Sequence, residues 1–202
     1  MFCSLNDNVS SVNGTTAAVN ETKGSVEIAA IKIASIMEKM IAFSEGNVHD
    51  IDHFIRVWTY AKTIGELENI DSDVLFVLEV AAITHDIACP LCRKKYGNTN
   101  GKHQEEEGNR MVKDFLNQLD LSDAQIERIA YLVAHHHTLH DIDGIDYQIL
   151  IEADYIANAT ENGYSQTNAE NFMQKIMKTE SGKRLLRNIL FSYDSSSSIA
   201  PA

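Results

Sequence analysis

His85 and Asp86 sit side by side at the end of an apolar run, Ala81-Ala82-Ile83-Thr84-His85-Asp86-Ile87. From Val74 to Ile83 the only polar side chain is Glu79. Such a run reads as a buried helix whose last residues carry an imidazole and a carboxylate into the interior. A charge placed there needs a partner or a cation. Three other places offer the same side-chain types from apolar helical contexts: His53, the triplet His135-His136-His137, and Asp154. Imidazole and carboxylate together suit hard and borderline divalent cations. A single histidine on a helix is more often a satisfied core residue than a ligand. The ordered set His53, His85-Asp86 and Asp154 is much harder to obtain by chance, and a bundle core can bring such groups to one point.

The elements that must position these groups are legible as helices. Val26 to Phe43 has apolar residues at 28, 31, 33, 36, 37, 40 and 41, and Gly46 stops it. Asp50 or Asp52 is a candidate cap for a helix to about Leu67, with Phe54, Ile55, Val57, Trp58, Ala61 and Ile64 as its stripe. Asp71-Ser72-Asp73 is a cap cluster for the helix that ends at His85. Ala88 to Lys102 holds Pro90, Gly97, Gly101 and two cysteines, and reads as a long loop over the site. Further helices are expected over Glu105–Leu119, from a Ser122-x-x-Gln125 capping box to about His136, over Tyr147–Ala159, over Ala169–Met177, and over Lys183–Phe191 after Gly182. No convincing strand alternation occurs. The expected fold is all-α, a single-domain multi-helix bundle over residues 25–192, with a flexible N-terminal arm at 1–24 and a polar C-terminal tail at 193–202.

Three motifs, taken in order, resemble those of the HD superfamily of metal-dependent phosphohydrolases. They are His53 in His53-Phe54-Ile55-Arg56-Val57, the doublet His85-Asp86, and Asp154 in Glu152-Ala153-Asp154-Tyr155. The likeness spans roughly residues 30–160. It implies an HD-domain-like helical bundle, and the role of metal ligand for His53, His85, Asp86 and Asp154. Some members hold a second ion with an extra histidine in an H-x-x-x-G segment and another in a His-His segment. Counting back from Gly108, that first position is Gln104 here; His103 is one residue off, about 100° around a helix. Glutamine is a poor ligand beside imidazole and carboxylate, so one divalent ion is expected rather than two. His136 is the expected remnant of the second position, with His135 and His137 as register alternatives. The triplet also reads as a helix C-terminus, where the dipole favours imidazolium. The residues do not choose among Mn, Fe, Co, Ni, Mg and Zn.

The chemistry implied by such a ligand set is hydrolysis. A cation with open positions acidifies a bound water to hydroxide near neutral pH and polarises a phosphoryl oxygen beside it. Asp86 is the natural acceptor for the water proton. Arg56, one turn after His53, is placed to brace a phosphate or lock Asp86; an ordinary helix salt bridge explains it equally. Arg93, Lys94, Lys95 and Lys102 form a basic cluster in an acidic chain; Lys94 and Lys102 are the candidates for substrate phosphate. Glu152, or one of Glu105, Glu106 and Glu107, is a candidate base behind the metal. Cys89-Pro90-Leu91-Cys92 reads as two isolated thiols in preference to a redox pair or half a zinc site.

Composition narrows the partners. With 17 basic and 29 acidic residues the formal charge is −12, which disfavours nucleic acid polymers and anionic membranes. Three cysteines do not make a disulfide framework and suit a reducing compartment. No signal peptide and no apolar run near the length of a bilayer span are evident, so a cytoplasmic protein is expected. The reading is a phosphohydrolase acting on a small phosphate ester or nucleotide. The alternatives are a non-catalytic metal- or nucleotide-binding regulatory module, and a thiol-redox protein through Cys89 and Cys92. A homodimer is compatible with the sequence. The sequence does not choose between monoester, diester and pyrophosphate substrates.

Overall fold

The apolar run before His85 lies at the centre of the molecule. In the computed structural model, which describes residues 13–191 and side chains from residue 27, every side chain from Phe76 to Thr84 is buried, Glu79 included. This segment is α3 (Ser72–Thr84). Asp71 caps it by accepting from the N–H groups of Asp73 and Val74. A helix apolar on all sides is stable only with neighbours on all sides. Those neighbours are α1 (Asn13–Phe43), α2 (Val48–Leu67), α6 (Asp123–Val133) and α7 (Ile145–Glu161). Burying side chains such as Leu78, Val80 and Ile83 contributes about 2 kcal/mol each, so Leu78→Ala costs about 2–5 kcal/mol. Glu79 is tolerated because Trp58 Nε1 (2.8 Å) and Lys62 Nζ (3.1 Å) donate to its carboxylate.

The remaining elements are α4 (Cys89–Tyr96), α5 (Gly101–Leu116), α8 (Gln166–Lys175) and α9 (Glu180–Leu190), nine helices in all among the described residues, where no strand occurs. One apolar cluster joins side chains of α1, α2, α3, α5, α6, α7, α8 and α9. The all-α reading therefore holds, and several boundaries shift. α1 begins at Asn13, inside the expected arm. A helix once nucleated extends through indifferent residues at little cost. Residues 1–12 and the tail from 192 lie outside the described residues. Of the α1 stripe, Ile33, Ile36 and Met40 are buried, whereas Ile28, Ile31 and Ile41 are exposed. Asn47, not an aspartate, caps α2 by accepting from the Asp50 N–H.

The expected long loop at 88–102 is largely α4. Pro90 stands in its first turn, where a missing N–H costs nothing, and Gly97 closes it in the left-handed conformation with φ 73°. Pro and Gly here mark the two ends of a helix, not the absence of one. The capping box at Ser122 and Gln125 is present. Gly182 lies inside α9 and does not separate two helices. A Cβ there would come within 2.2 Å of Glu152 Oε2. By length and composition, Ser72–Tyr96 is apolar enough to cross a membrane, contrary to the sequence expectation, but 72% of that apolar stretch is buried inside the bundle.

Candidate metal centre

The centre is built where α2, α7 and the end of α3 meet. His53 stands on the buried face of α2. His85 ends α3, and a tight turn closed by Ile87 N–H to Thr84 O (3.0 Å) presents Asp86 beside it. Asp154 comes from the middle of α7. His53 Nε2 lies 3.2 Å from His85 Nε2, 3.2 Å from Asp154 Oδ1 and 3.6 Å from Asp86 Oδ2. His85 Nε2 lies 3.7 Å from Asp86 Oδ2 and 3.6 Å from Asp154 Oδ1. The other Asp86 oxygen, Oδ1, faces His136 Nε2 at 3.4 Å.

Hydrogen bonding on the far side of each ring fixes what faces inward. Nδ1 of His53 donates to Glu161 Oε2 (2.9 Å), Nδ1 of His85 to Ala82 O (2.9 Å), and Nδ1 of His136 to Val133 O (2.8 Å). Carbonyl and carboxylate oxygens only accept, so in the neutral rings the proton sits on Nδ1 and Nε2 presents a lone pair. Three such lone pairs converge on the carboxylates of Asp86 and Asp154. Asp86 Oδ1 and His136 Nε2 are buried atoms with no hydrogen-bond partner. Acceptors packed against acceptors repel unless a proton or a cation lies between them. Bonds of about 2.1 Å to a cation put neighbouring ligand atoms about 3 Å apart, close to the spacing seen. The residues fit a divalent ion.

Electrostatics point the same way. Burial acts to lower the His53 pKa, but its hydrogen bond to Asp154 and the charges of Asp86, Asp154 and Glu161 outweigh that and raise it to about 9. Burial acts to raise the Asp86 and Asp154 carboxyls, yet the surrounding histidines hold both well below the usual carboxylate range. Such a cluster prefers positive charge at its middle.

The other anticipated residues divide into those at the site and those away from it. His136 is at the site. His137 lines the same cavity but is exposed there. His135 instead stacks on Tyr131, its Nδ1 bonded to Tyr131 O. Gln104 is buried in the cavity wall and does not replace a ligand; its amide donates to Thr99 O (2.9 Å) and its oxygen accepts from the Cys89 thiol. His103 turns away to stack on Tyr96. Arg56 neither braces Asp86 nor lines the cavity; it is half-exposed, with Nη1 3.8 Å from Glu161 Oε1. Lys94 and Lys102 also fall outside the cavity lining. Because α4 is helical, Arg93 lines the cavity in their place, while Lys102 lies on the surface 3.9 Å from Glu106. Glu152 is no base behind the metal: its buried carboxylate accepts from Gln148, from the backbone of Lys178 and Thr179, and from the Thr179 hydroxyl. Cys89 and Cys92 are buried free thiols whose pKa values burial pushes up.

Two positioning residues were missed. Asn158 donates to Asp154 Oδ1 (2.8 Å), and Glu161 orients His53. Spacing held the signal: Asp154, Asn158 and Glu161 lie four and then three residues apart, one face of α7. His53, Asp86, Asp154, Asn158 and Glu161 open into a cavity of about 530 Å³, with His85 and His136 buried behind them.

A helical bundle with histidines and aspartates drawn to one point is the architecture of a metal-binding HD domain. The HD-domain family model matches residues 50–159, which contain His53, His85, Asp86, His136 and Asp154, and the chain belongs to that family. Among solved structures it is similar to a protein of an uncultured Thermotogales bacterium, described as a "predicted HD superfamily hydrolase". The identity is 19% and the TM-score 0.55, over 78% of this chain and 82% of that one. That likeness shows the fold. A comparison with curated proteins finds no match.

Proposed function

We propose that the protein is a metal-dependent phosphohydrolase acting on a small phosphate ester or nucleotide. One observation carries this reading: the Nε2 atoms of His53, His85 and His136 face the carboxylates of Asp86 and Asp154, with Asp86 Oδ1 and His136 Nε2 buried and unpartnered, and His53, Asp86 and Asp154 line an open cavity. A divalent cation held there supplies an acidified water and a polarised phosphoryl oxygen. His53, His85, Asp86 and Asp154 hold the ion, and His136 Nε2 faces the other oxygen of Asp86 at 3.4 Å. Glu161, Ala82 O and Val133 O keep the rings aimed. Asp86 is the carboxylate most open to the cavity, at 23% side-chain exposure, and so meets the attacking water. Arg93 is the lysine or arginine that faces substrate. In the reaction water oxygen bonds to phosphorus, the P–O bond to the organic group breaks, and a proton ends on the released alcohol.

Gln104 favours a second reading, a binding module without turnover. Its amide is engaged by Thr99 and Cys89 at the position where some relatives carry a ligand. Phosphate release from monoesters, diesters and nucleotides, with Mn, Mg, Co or Ni added, separates the two readings. The phosphohydrolase reading expects turnover that falls about a thousandfold in His85→Ala and Asp86→Ala, the loss of several kcal/mol of transition-state stabilisation. A loaded site that releases phosphate from nothing contradicts it.

A further inference from the structure

Asn47 and Arg93 line two cavities at once. On one side is the metal-centre cavity, whose lining side chains are polar apart from Cys89. On the other is a cavity of about 750 Å³ walled by Phe43, Pro90, Leu91 and Met111, with Lys94 and Glu45 at its rim. The residues lining both are held together by hydrogen bonds through Asp50, which lines the metal side. Arg93 Nη1 donates to Asp50 Oδ1 (3.2 Å) and Nη2 to Oδ2, while Asn47 Nδ2 donates to the same Oδ2 (3.0 Å). α4 makes the juxtaposition: Arg93 reaches both cavities, while Leu91 and Lys94, one turn apart, line only the second. Phe43, at the end of α1, is 38% exposed there.

Charge limits what the metal side can take. Arg93 is the only lysine or arginine among the described residues lining that cavity, against Asp50, Asp86, Asp154 and Glu161. The carboxylates outnumber the charges of Arg93 and one divalent cation together, so each further phosphate charge beyond the first is increasingly disfavoured. With no aliphatic side chain and no Phe, Tyr or Trp in its lining, that cavity offers little to an apolar organic group. The adjoining one does.

Resting on the phosphohydrolase reading, we infer that the substrate is a monophosphate ester of an alcohol bearing an apolar ring. Its phosphate lies at the metal centre, and its ring crosses the Arg93–Asp50 wall to pack on Phe43, Leu91 and Met111. Sugar phosphates and inorganic polyphosphates lack the ring that this arrangement selects.

The test compares 2-phenylethyl phosphate with ethyl phosphate, whose leaving alcohols are close in acidity, on the metal-loaded protein. The expected kcat/KM ratio is about tenfold or more in favour of the phenyl ester, from apolar area withdrawn from water. Leu91→Asp and, on the opposite wall, Phe43→Ser each bring that ratio toward one. A ratio near one in the unaltered protein, or a ratio unmoved in both variants, overturns the inference while leaving phosphohydrolase activity intact. Failure to cleave either ester or any other phosphate with any cation overturns both readings.

Discussion

Glu161 Oε2 lies 2.9 Å from His53 Nδ1, across the ring from the nitrogen that faces Asp154. Although α7 carries one candidate ligand, Asp154, this contact gives it a second hold on the centre. Removing the acceptor frees the ring to rotate and to carry its proton on the wrong nitrogen. Glu161→Ala should therefore weaken metal binding by about ten- to a hundredfold in a calorimetric titration. Glu161→Gln keeps an acceptor oxygen and should lose less. Equal affinities in the two variants would show that the contact does not aim the ligand.

Metal uptake should depend on pH through His53. In the metal-free protein its pKa is raised to about 9, so the imidazolium contributes stability that is full below about 6.5 and lost as pH rises through 9. A cation must displace that proton. Between pH 6.5 and 9 its apparent affinity should rise by up to about tenfold per pH unit. The difference in Tm between metal-loaded and metal-free protein should widen over the same range. A difference that stays constant from pH 6.5 to 9 would contradict this.

Glu152 predicts a loss of stability, not of chemistry. Its carboxylate holds the start of α9 against α7 through the N–H groups of Lys178 and Thr179, and accepts from Gln148 within α7. Glu152→Ala strands those donors and should cost about 3–5 kcal/mol in denaturant unfolding. Gly182→Ala drives a Cβ toward Glu152 Oε2 and Thr179 Oγ1, and should cost about 1–3 kcal/mol. If Glu152→Ala abolished turnover in protein of undiminished stability, Glu152 would belong to the chemistry after all.

The thiols should be inert in the folded state. Cys89 and Cys92 are buried, and burial pushes both pKa values up, so little thiolate forms near neutral pH. Alkylation of these two residues, followed by mass spectrometry, should track unfolding by denaturant. Rapid labelling of the native protein would reopen a redox role.

What the sequence conveyed follows from where physics acts locally. The metal-ligand candidates were legible because His85-Asp86 ends a run that has to be buried, and a charge there has few explanations. The all-α class was legible from helical periodicity and from caps such as Asp71 and Ser122. Arg93, by contrast, was hidden by a misread segment. Once Ala88–Lys102 is taken as loop, nothing separates Arg93 from Lys94 and Lys102. Once Pro90 and Gly97 are seen as the ends of α4, their directions differ by helical geometry.

Glu161 and Asn158 were missed for another reason. A glutamate near a helix end reads as solvated surface until a histidine from another helix is known to lie against it. The partner of Arg56 was obscured in the same way, since it comes from α7 and not from α2. Glu152 misled through proximity in sequence to Asp154: two positions along a helix is about 200° of rotation, which sends the two carboxylates to opposite sides.

The central claim is that one divalent ion is shared by His53, His85, Asp86 and Asp154. Its most direct test is a crystal of metal-loaded protein with anomalous diffraction recorded at the absorption edge of the added metal. The account predicts a peak within about 2.0–2.3 Å of His53 Nε2, His85 Nε2 and one oxygen each of Asp86 and Asp154. A peak bound elsewhere, or none among these four side chains in protein saturated with metal, would contradict it.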